Sequence, residues 1–454
     1  MRGREHWSST VGFVLAAAGS AIGLGNVWKF PYITGVYGGS AFVLWYLISV
    51  IVIGLPVILI EFALGRHTQL NPVGAFRRLA PEKPYWLIGA MGVMAGFIIL
   101  SYYSVVAGWT LNYLFKAVIT GFKEYHSPQV AGEAFKAYIT HPVKPVVTHL
   151  IFMLLVILIV ARGVRMGVEW INRILMPVMF FIILILVVRG LTLKGVSPER
   201  SAFQGLQFLF HFDLRQLNGR AMLTALGHAF FTLSLGMGAM LTYGSYLHEK
   251  ENLLKSALWI AVADTLVALL SGVAIFTTVF ALGFEPNKGV GLIFNVFPAI
   301  FSQMPSGEVV AVLFFLLLLI AALTSAISLM EVVTAYFVDE RGWERKKTVW
   351  VWGTVIFLLG IPSSLSSGVL ANLQFLGMNI FDFLDYLSFK YLLPLGGLLM
   401  VLFTLKRWKI ASFLQELSRG GPNWSGKEKI FTALLVLSAI FVTATFVAGI
   451  WGIG

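Results

Sequence analysis

The chain has 454 residues, of which 58% are hydrophobic and 12% charged, and its mean hydropathy is +0.84. A soluble domain has no interior able to hide that much apolar surface, so a soluble fold is excluded and a bilayer is implied. The net charge of +12 would suit nucleic acid, but its distribution between apolar runs argues against that partner, and zero cysteines remove disulfides, thiolate metal sites and cysteine nucleophiles.

Apolar runs of roughly 17 to 25 residues, enough to cross about 30 Å of hydrocarbon, recur along the chain. Eleven spans are expected, near 10–36, 40–65, 86–120, 146–161, 166–190, 218–247, 252–284, 307–338, 347–366, 377–405 and 428–453. Basic residues gather in alternate loops: Arg2 and Arg4; Arg66, Arg77, Arg78 and Lys83; Arg162 and Arg165; Arg341, Arg345, Lys346 and Lys347; Lys406, Arg407 and Lys409. This positive-inside distribution predicts a cytoplasmic N-terminus, and an odd span count puts the C-terminus outside. MRGREHW carries no cleavable signal pattern, so the first span is expected to be retained. The motifs GxxxxGK[ST], HExxH and GxSxG are absent, and no polar stretch is long enough for a nucleotide domain. Work done by this chain must draw on a gradient or a partner.

The first span contains GSAIGLGN, Gly19 to Asn26. Gly19 and Gly23 could form a close-packing seam. They could equally mark an unwound segment, tolerated at membrane depth only where protein, water or a ligand satisfies the freed backbone. The sixth span is also interrupted, by Thr232, Ser234, Gly236 and Gly238 in GHAFFTLSLGMGAMLTYGSY. Paired breaks at matching positions point to a transporter built as an inverted repeat. The halves are 1–190 and 218–405, followed by an extra span at 428–454, with 289–307 as a re-entrant outer lid. Asp264 lies in WIAVADTLVALLSGVAIF, where an ionised carboxylate is costly unless it faces a cation or water.

These residues carry a resemblance. REHW, AGSAIGLGNVWKFPY, GGSAF, FFTLSLGMGAMLTYGSY and LTSAISLMEVV resemble the neurotransmitter/sodium symporter family, in the style of its bacterial amino-acid transporters, from about Arg4 to about Leu405. The resemblance implies an all-α polytopic membrane protein of about 11 transmembrane helices, a 5+5 inverted repeat with unwound first and sixth spans. It also implies a symporter rather than an enzyme, with no cofactor, no nucleic acid and no obligate protein partner, located in the cell membrane. Na⁺ would be the coupling ion, at two sites. One would use the Ala21 carbonyl, Asn26, Thr232, Asp264 and the substrate carboxylate. The other would use the carbonyls of Gly19, Ile22 and Ala321 and the hydroxyls of Thr324 and Ser325, although hydroxyls in membrane helices also bond back to the preceding turn.

By the same resemblance, the substrate pocket is formed by Ser20, Ala21, Gly23, Gly25, Ile99, Tyr103, Val106, Phe231, Thr232, Ser234, Met237, Ser328 and Leu329. Monoamine carriers of the family place an aspartate where this chain has Gly23, which favours a substrate bringing its own carboxylate. Ala268, where chloride-dependent members carry serine, together with Asp264 implies chloride independence. The expected substrate is a hydrophobic L-amino acid, with aromatic ones included. Lys29 and Asp385 are the expected outer gate. Arg4 and Asp339 are the expected inner one, with Trp7 as plug and Tyr246 as brace. His228 is expected to make a satisfied polar contact, and Glu61 to be a structural acid paired near the cytoplasmic end of the second span. The alternatives are a sodium symporter for another small amino-acid-like solute, and a transport-inactive amino-acid receptor.

Overall fold

The computed structural model describes residues 5–197, 200–212, 219–285 and 291–450. The first expected span forms α1 (Thr10–Ala21) and α2 (Gly25–Val36), bent by 47° at a short break. There follow α3 (Ser40–Thr68), α4 (Pro72–Leu79) and α5 (Trp86–Thr120). Next come α6 (Pro128–Ile139) and α7 (Lys144–Val160), bent by 75° to one another, α8 (Val164–Leu191) and α9 (Ala202–Phe210). The sixth expected span is divided into α10 (Gly219–Thr232) and α11 (Ala239–Gly244). The chain continues through α12 (Leu253–Ala281), α13 (Leu292–Gln303), α14 (Gly307–Arg341), α15 (Arg345–Leu365), α16 (Ile380–Trp408), α17 (Ile410–Ser418) and α18 (Glu428–Ile450). The strands among the described residues form one hairpin, pairing Gln374–Phe375 with Met378–Asn379. By length and composition, seven of the described helices are able to cross a membrane, or nine segments if each bent pair counts as one span. The two further expected spans correspond to the divided α10 and α11, and to α18.

The longest helices, α5 and α14, have 35 residues each, about 52 Å at the α-helical rise, so both outreach the hydrocarbon layer. They run side by side and form the wall against which both breaks are placed.

The sixth break follows from its backbone. Ser234, Gly236 and Gly238 all have positive φ, at 53°, 79° and 75°. A Cβ on Gly236 would stand 2.3 Å from the Leu393 carbonyl oxygen, so glycine is required there for space as well as conformation. Two amides bordering this break find their acceptor in α3: Glu61 Oε1 accepts from Gly236 N at 2.8 Å and Oε2 from Leu241 N at 3.1 Å. Glu61 is therefore paired, but its partners are freed backbone amides rather than a cation. An anion at these amides resolves the cost of unwinding a buried segment.

Candidate functional site

At the first break the helix stops because nothing continues its ladder past Ile22, whose backbone is extended. Local side chains take over. Asn26 Oδ1 accepts from Gly23 N at 3.0 Å, and the Tyr103 hydroxyl of α5 accepts from Leu24 N at 3.2 Å. The two readings of the glycines prove compatible at different positions. Gly19 is a packing glycine, since a Cβ there would lie 2.1 Å from Asn172 Oδ1 of α8. Gly23 belongs to the break, where a Cβ would meet Ser325 Oγ at 2.5 Å and Tyr103 Oη at 3.0 Å.

Asp264 of α12 is the hub beside this break, fully buried. Its Oδ1 accepts from Asn26 Nδ2 at 2.8 Å and Thr232 Oγ1 at 2.9 Å, and its Oδ2 accepts from the Tyr46 hydroxyl at 3.0 Å. Asn26 Nδ2 also donates to the Asp264 carbonyl at 3.0 Å. Asn26, Thr232 and Asp264, separate in sequence, thus meet where the first and sixth spans are both broken.

A second polar cluster joins the break to α14. Ser325 Oγ donates toward the carbonyls of Gly19 (3.4 Å) and Ser20 (3.0 Å), and Ser234 Oγ donates to Ser20 O at 2.8 Å. Thr324 turns inward on its own helix, donating to Ile320 O and Ala321 O at 3.1 and 3.2 Å. The back-bonding reading therefore describes Thr324 here, while Ser325 reaches across. Among the described residues no group of three or more His, Asp or Glu side chains could hold a metal. The donors on offer are carbonyl, hydroxyl, amide and single carboxylate oxygens, a set suited to a hard monovalent cation rather than a transition metal.

Between these clusters lies a narrow cavity lined by Ser20, Ala21, Gly23, Gly25, Ile99, Tyr103, Phe231, Thr232, Ser234, Met237, Ser325 and Leu329. Two expected members are elsewhere. Val106 lines a larger cavity on the Lys29 side, and Ser328 stands behind the wall, accepting from Ser20 Oγ at 2.7 Å. Tyr103 and Phe231 line both cavities and so form the partition between them.

The model of the sodium:neurotransmitter symporter family matches residues 4–125 and 122–452. The chain belongs to this family. It is similar to an uncharacterized sodium-dependent transporter of Bacillus subtilis (strain 168), YhdH, at 41% identity over 97% of this chain and 96% of the relative. An uncharacterized sodium-dependent transporter of Haemophilus influenzae is 36% identical over 89% of this chain and 90% of the relative. The crystal structure of MhsT in complex with L-phenylalanine matches with a TM-score of 0.89 and 44% identity, covering 98% of this chain and 100% of that one. The protein is thus a sodium-dependent symporter of the sodium:neurotransmitter symporter family, a multi-pass membrane transporter and not an enzyme.

In this symporter both sides of the pocket are covered. On one side, Lys29 Nζ lies 3.4 Å from Asp385 Oδ2 and sits over the rings of Phe231 and Phe389, 4.8 and 4.0 Å from their centroids. Above them α13, from the expected lid, buries Phe294 against Trp28, Trp109 and Phe135. Residues 289 and 290 of that lid lie outside the described residues. On the opposite side, Trp7 is buried, donating its indole N–H to Tyr243 O at 2.9 Å and its backbone N–H to Tyr246 O at 3.2 Å. Arg4 of the expected inner pair lies outside the described residues. Asp339 Oδ2 accepts from Asn71 N at 2.9 Å.

Sequence reasoning missed four residues of the buried polar networks. Tyr46 carries no signal beyond an aromatic in an apolar span. Glu331, fully buried, and the half-buried Arg345 form an ion pair to which the Tyr246 hydroxyl donates at 2.7 Å, so Tyr246 braces this pair. Glu331 was detectable by the criterion that singled out Asp264, an acid inside an apolar run. Glu416, described below, gave no such signal. His228 overturns its expectation: among the described residues neither ring nitrogen has a hydrogen-bond partner, and the ring lies buried in a cage of Phe30, Phe42 and Tyr46.

Proposed function

We propose that this protein imports hydrophobic L-amino acids, aromatic ones included, by alternating access coupled to two inward-moving Na⁺ ions and without chloride. The observation that carries the reading is the meeting of Asn26, Thr232 and Asp264 beside an acid-free pocket at Gly23. The first ion takes the Ala21 carbonyl, Asn26, Thr232 and Asp264, and the substrate carboxylate completes its shell. Because ion and substrate share that contact, each raises the other's affinity by the same factor. The second ion takes the Gly19, Ile22 and Ala321 carbonyls with Thr324 and Ser325, which requires the Thr324 hydroxyl oxygen to accept the ion while it still donates within its own helix.

The walls support the substrate class. Ile99, Phe231, Met237 and Leu329 are apolar, and Met237 offers a flexible surface to a large side chain. The 44% identical MhsT was solved with L-phenylalanine, which agrees with this assignment. Asp264 supplies a fixed negative charge in place of an anion. The moving parts would be the two five-span halves, 1–190 and 218–405, with 428–454 outside the repeat. The N-terminus would face the cytoplasm of a cell membrane, where Arg4 and Asp339 close the inner path. A transport-inactive amino-acid receptor would bind in the same pocket, and flux separates the two.

The test is uptake of radiolabelled phenylalanine, tryptophan, leucine, glycine and glutamate into proteoliposomes, with and without an inward Na⁺ gradient. Na⁺-driven accumulation of the first three above equilibrium is expected. Binding without flux would favour the receptor, and a preference for glycine or glutamate would reject the substrate class.

A further inference from the structure

The cytoplasmic end of α3 carries a buried charge that the transport site does not use. Arg66 has a side-chain exposure of 0% and Glu416, on α17, of 1%. Arg66 Nε donates to Glu416 Oε1 at 2.7 Å, and Nη2 donates to the Glu416 carbonyl. Its Nη1 donates to the carbonyls of Glu251 at 2.5 Å and Arg419 at 3.2 Å. The other oxygen of Glu416 faces His67 Nδ1 at 3.1 Å and Arg419 Nη1 at 3.3 Å. One guanidinium thus ties three pieces of chain together: the end of the second span, α17, and the loop after α11.

That loop is where the inner seal is anchored. Trp7 hangs on the carbonyls of Tyr243 and Tyr246. Thr10, at the start of α1, donates to the Glu251 carboxylate at 2.7 and 2.9 Å. Gln69, three residues beyond Arg66, donates to Leu247 O at 2.9 Å. Gly420 presses on the same loop, where a Cβ would stand 2.1 Å from Lys250 O. The inner end of the first span therefore rests on a loop that Arg66 and Gln69 hold from one side and the α17 end from the other.

A buried ion pair is poorly explained by stability alone, since an apolar pair of similar volume often does as well. What an apolar pair lacks is direction. A planar guanidinium with fixed donors fixes the positions of several carbonyls at once, and Lys could not.

We propose that Arg66 and Glu416 are positioning residues for the inner gate: their clasp holds the 246–252 loop in the register that keeps Trp7 seated. Releasing the clasp favours cytoplasmic opening. The inference rests on alternating access as proposed above, but its hydrogen-exchange test does not need the substrate to be known.

The experiment is hydrogen exchange on the purified full-length protein in Na⁺ and in K⁺ buffer, without amino acid. Glu416→Gln is expected to speed exchange in peptides covering 5–12 and 244–252 by about tenfold, leaving α5 and α14 unchanged, because only a local opening is affected. In uptake assays the half-saturating Na⁺ concentration should rise several-fold with little change in maximal rate. Unchanged exchange in both peptides, or a uniform increase across all helices, overturns the proposal; the latter would leave the pair a structural role only. If Glu416→Gln does not fold, the double variant His67→Ala with Arg419→Ala trims the solvent side of the clasp. It should speed the same two peptides about threefold, and no local change there overturns the proposal as well. If wild-type exchange at 5–12 is the same in Na⁺ and K⁺, the alternating-access reading is at fault, whatever the variants do.

Discussion

Tyr46 donates its hydroxyl hydrogen to Asp264 Oδ2 at 3.0 Å, while Asn26 and Thr232 share the other oxygen, Oδ1. Both oxygens are thus held in place from three different helices. Tyr46→Phe removes one donor and keeps the ring. Hydrogen bonds to charged groups contribute roughly 1.5 to 3 kcal/mol, so Na⁺ affinity should fall by about tenfold or more. The measurement is the Na⁺ concentration for half-maximal uptake, and an unchanged curve contradicts the role given to Tyr46.

Asp264→Asn keeps the shape and removes the charge. Na⁺-driven uptake should fall more than about tenfold, since the first ion loses its only protein carboxylate. Wild-type uptake should be equal in chloride and in gluconate medium. A chloride requirement in the wild type would show that the fixed charge does not replace an anion.

Gly23→Ala places a Cβ 2.5 Å from Ser325 Oγ, closer than Cβ atoms come. The clash lies in the pocket wall, so substrate binding should be lost while the purified protein stays monodisperse and folded. Equilibrium binding of labelled substrate in Na⁺ checks this, and near-normal binding would mean that the break relaxes more easily than its contacts imply.

Glu61→Gln exchanges one of two acceptors for an amide NH₂ facing a backbone N–H. An unsatisfied buried donor costs about 1 to 3 kcal/mol, and the loss should appear as a lower melting temperature with faster exchange confined to the sixth break. Glu61 touches neither cavity, so apparent substrate affinity should change less than stability.

Glu416 makes a pH prediction. Burial pushes its carboxyl up, but the hydrogen bond to His67 and the charges of Arg66 and Arg419 outweigh burial and hold it below the usual carboxylate range. A depressed folded pKa contributes stability in full above the unfolded value, about 4.3, and that contribution is lost as pH falls through the folded value. Thermal stability of the wild type should therefore drop steeply below about pH 4, and Glu416→Gln should be less stable at pH 7 with a shallower acid limb.

Much of the pocket was legible before any coordinates. Glycines interrupting two apolar spans have few uses in hydrocarbon, and Asp264 stood out because charge at that depth is costly. Eleven of the thirteen expected pocket residues line the cavity. Val106 lines the larger cavity instead, for residue type does not tell which side of the Tyr103 partition a side chain occupies. His228 was misread because the nature of its neighbours depends on which helix faces it.

The sequence by itself determined that the chain lives in a bilayer, where it breaks, and which family it joins, because hydropathy, glycine placement and local motifs are properties of short stretches. Only the tertiary structure decided how buried polar groups are satisfied. Glu61 caps amides 175 and 180 residues away, Tyr46 meets Asp264 across 218, and Arg66 finds Glu416 across 350. A buried donor or acceptor must have a partner, but the requirement does not say which one. Helix packing makes that choice.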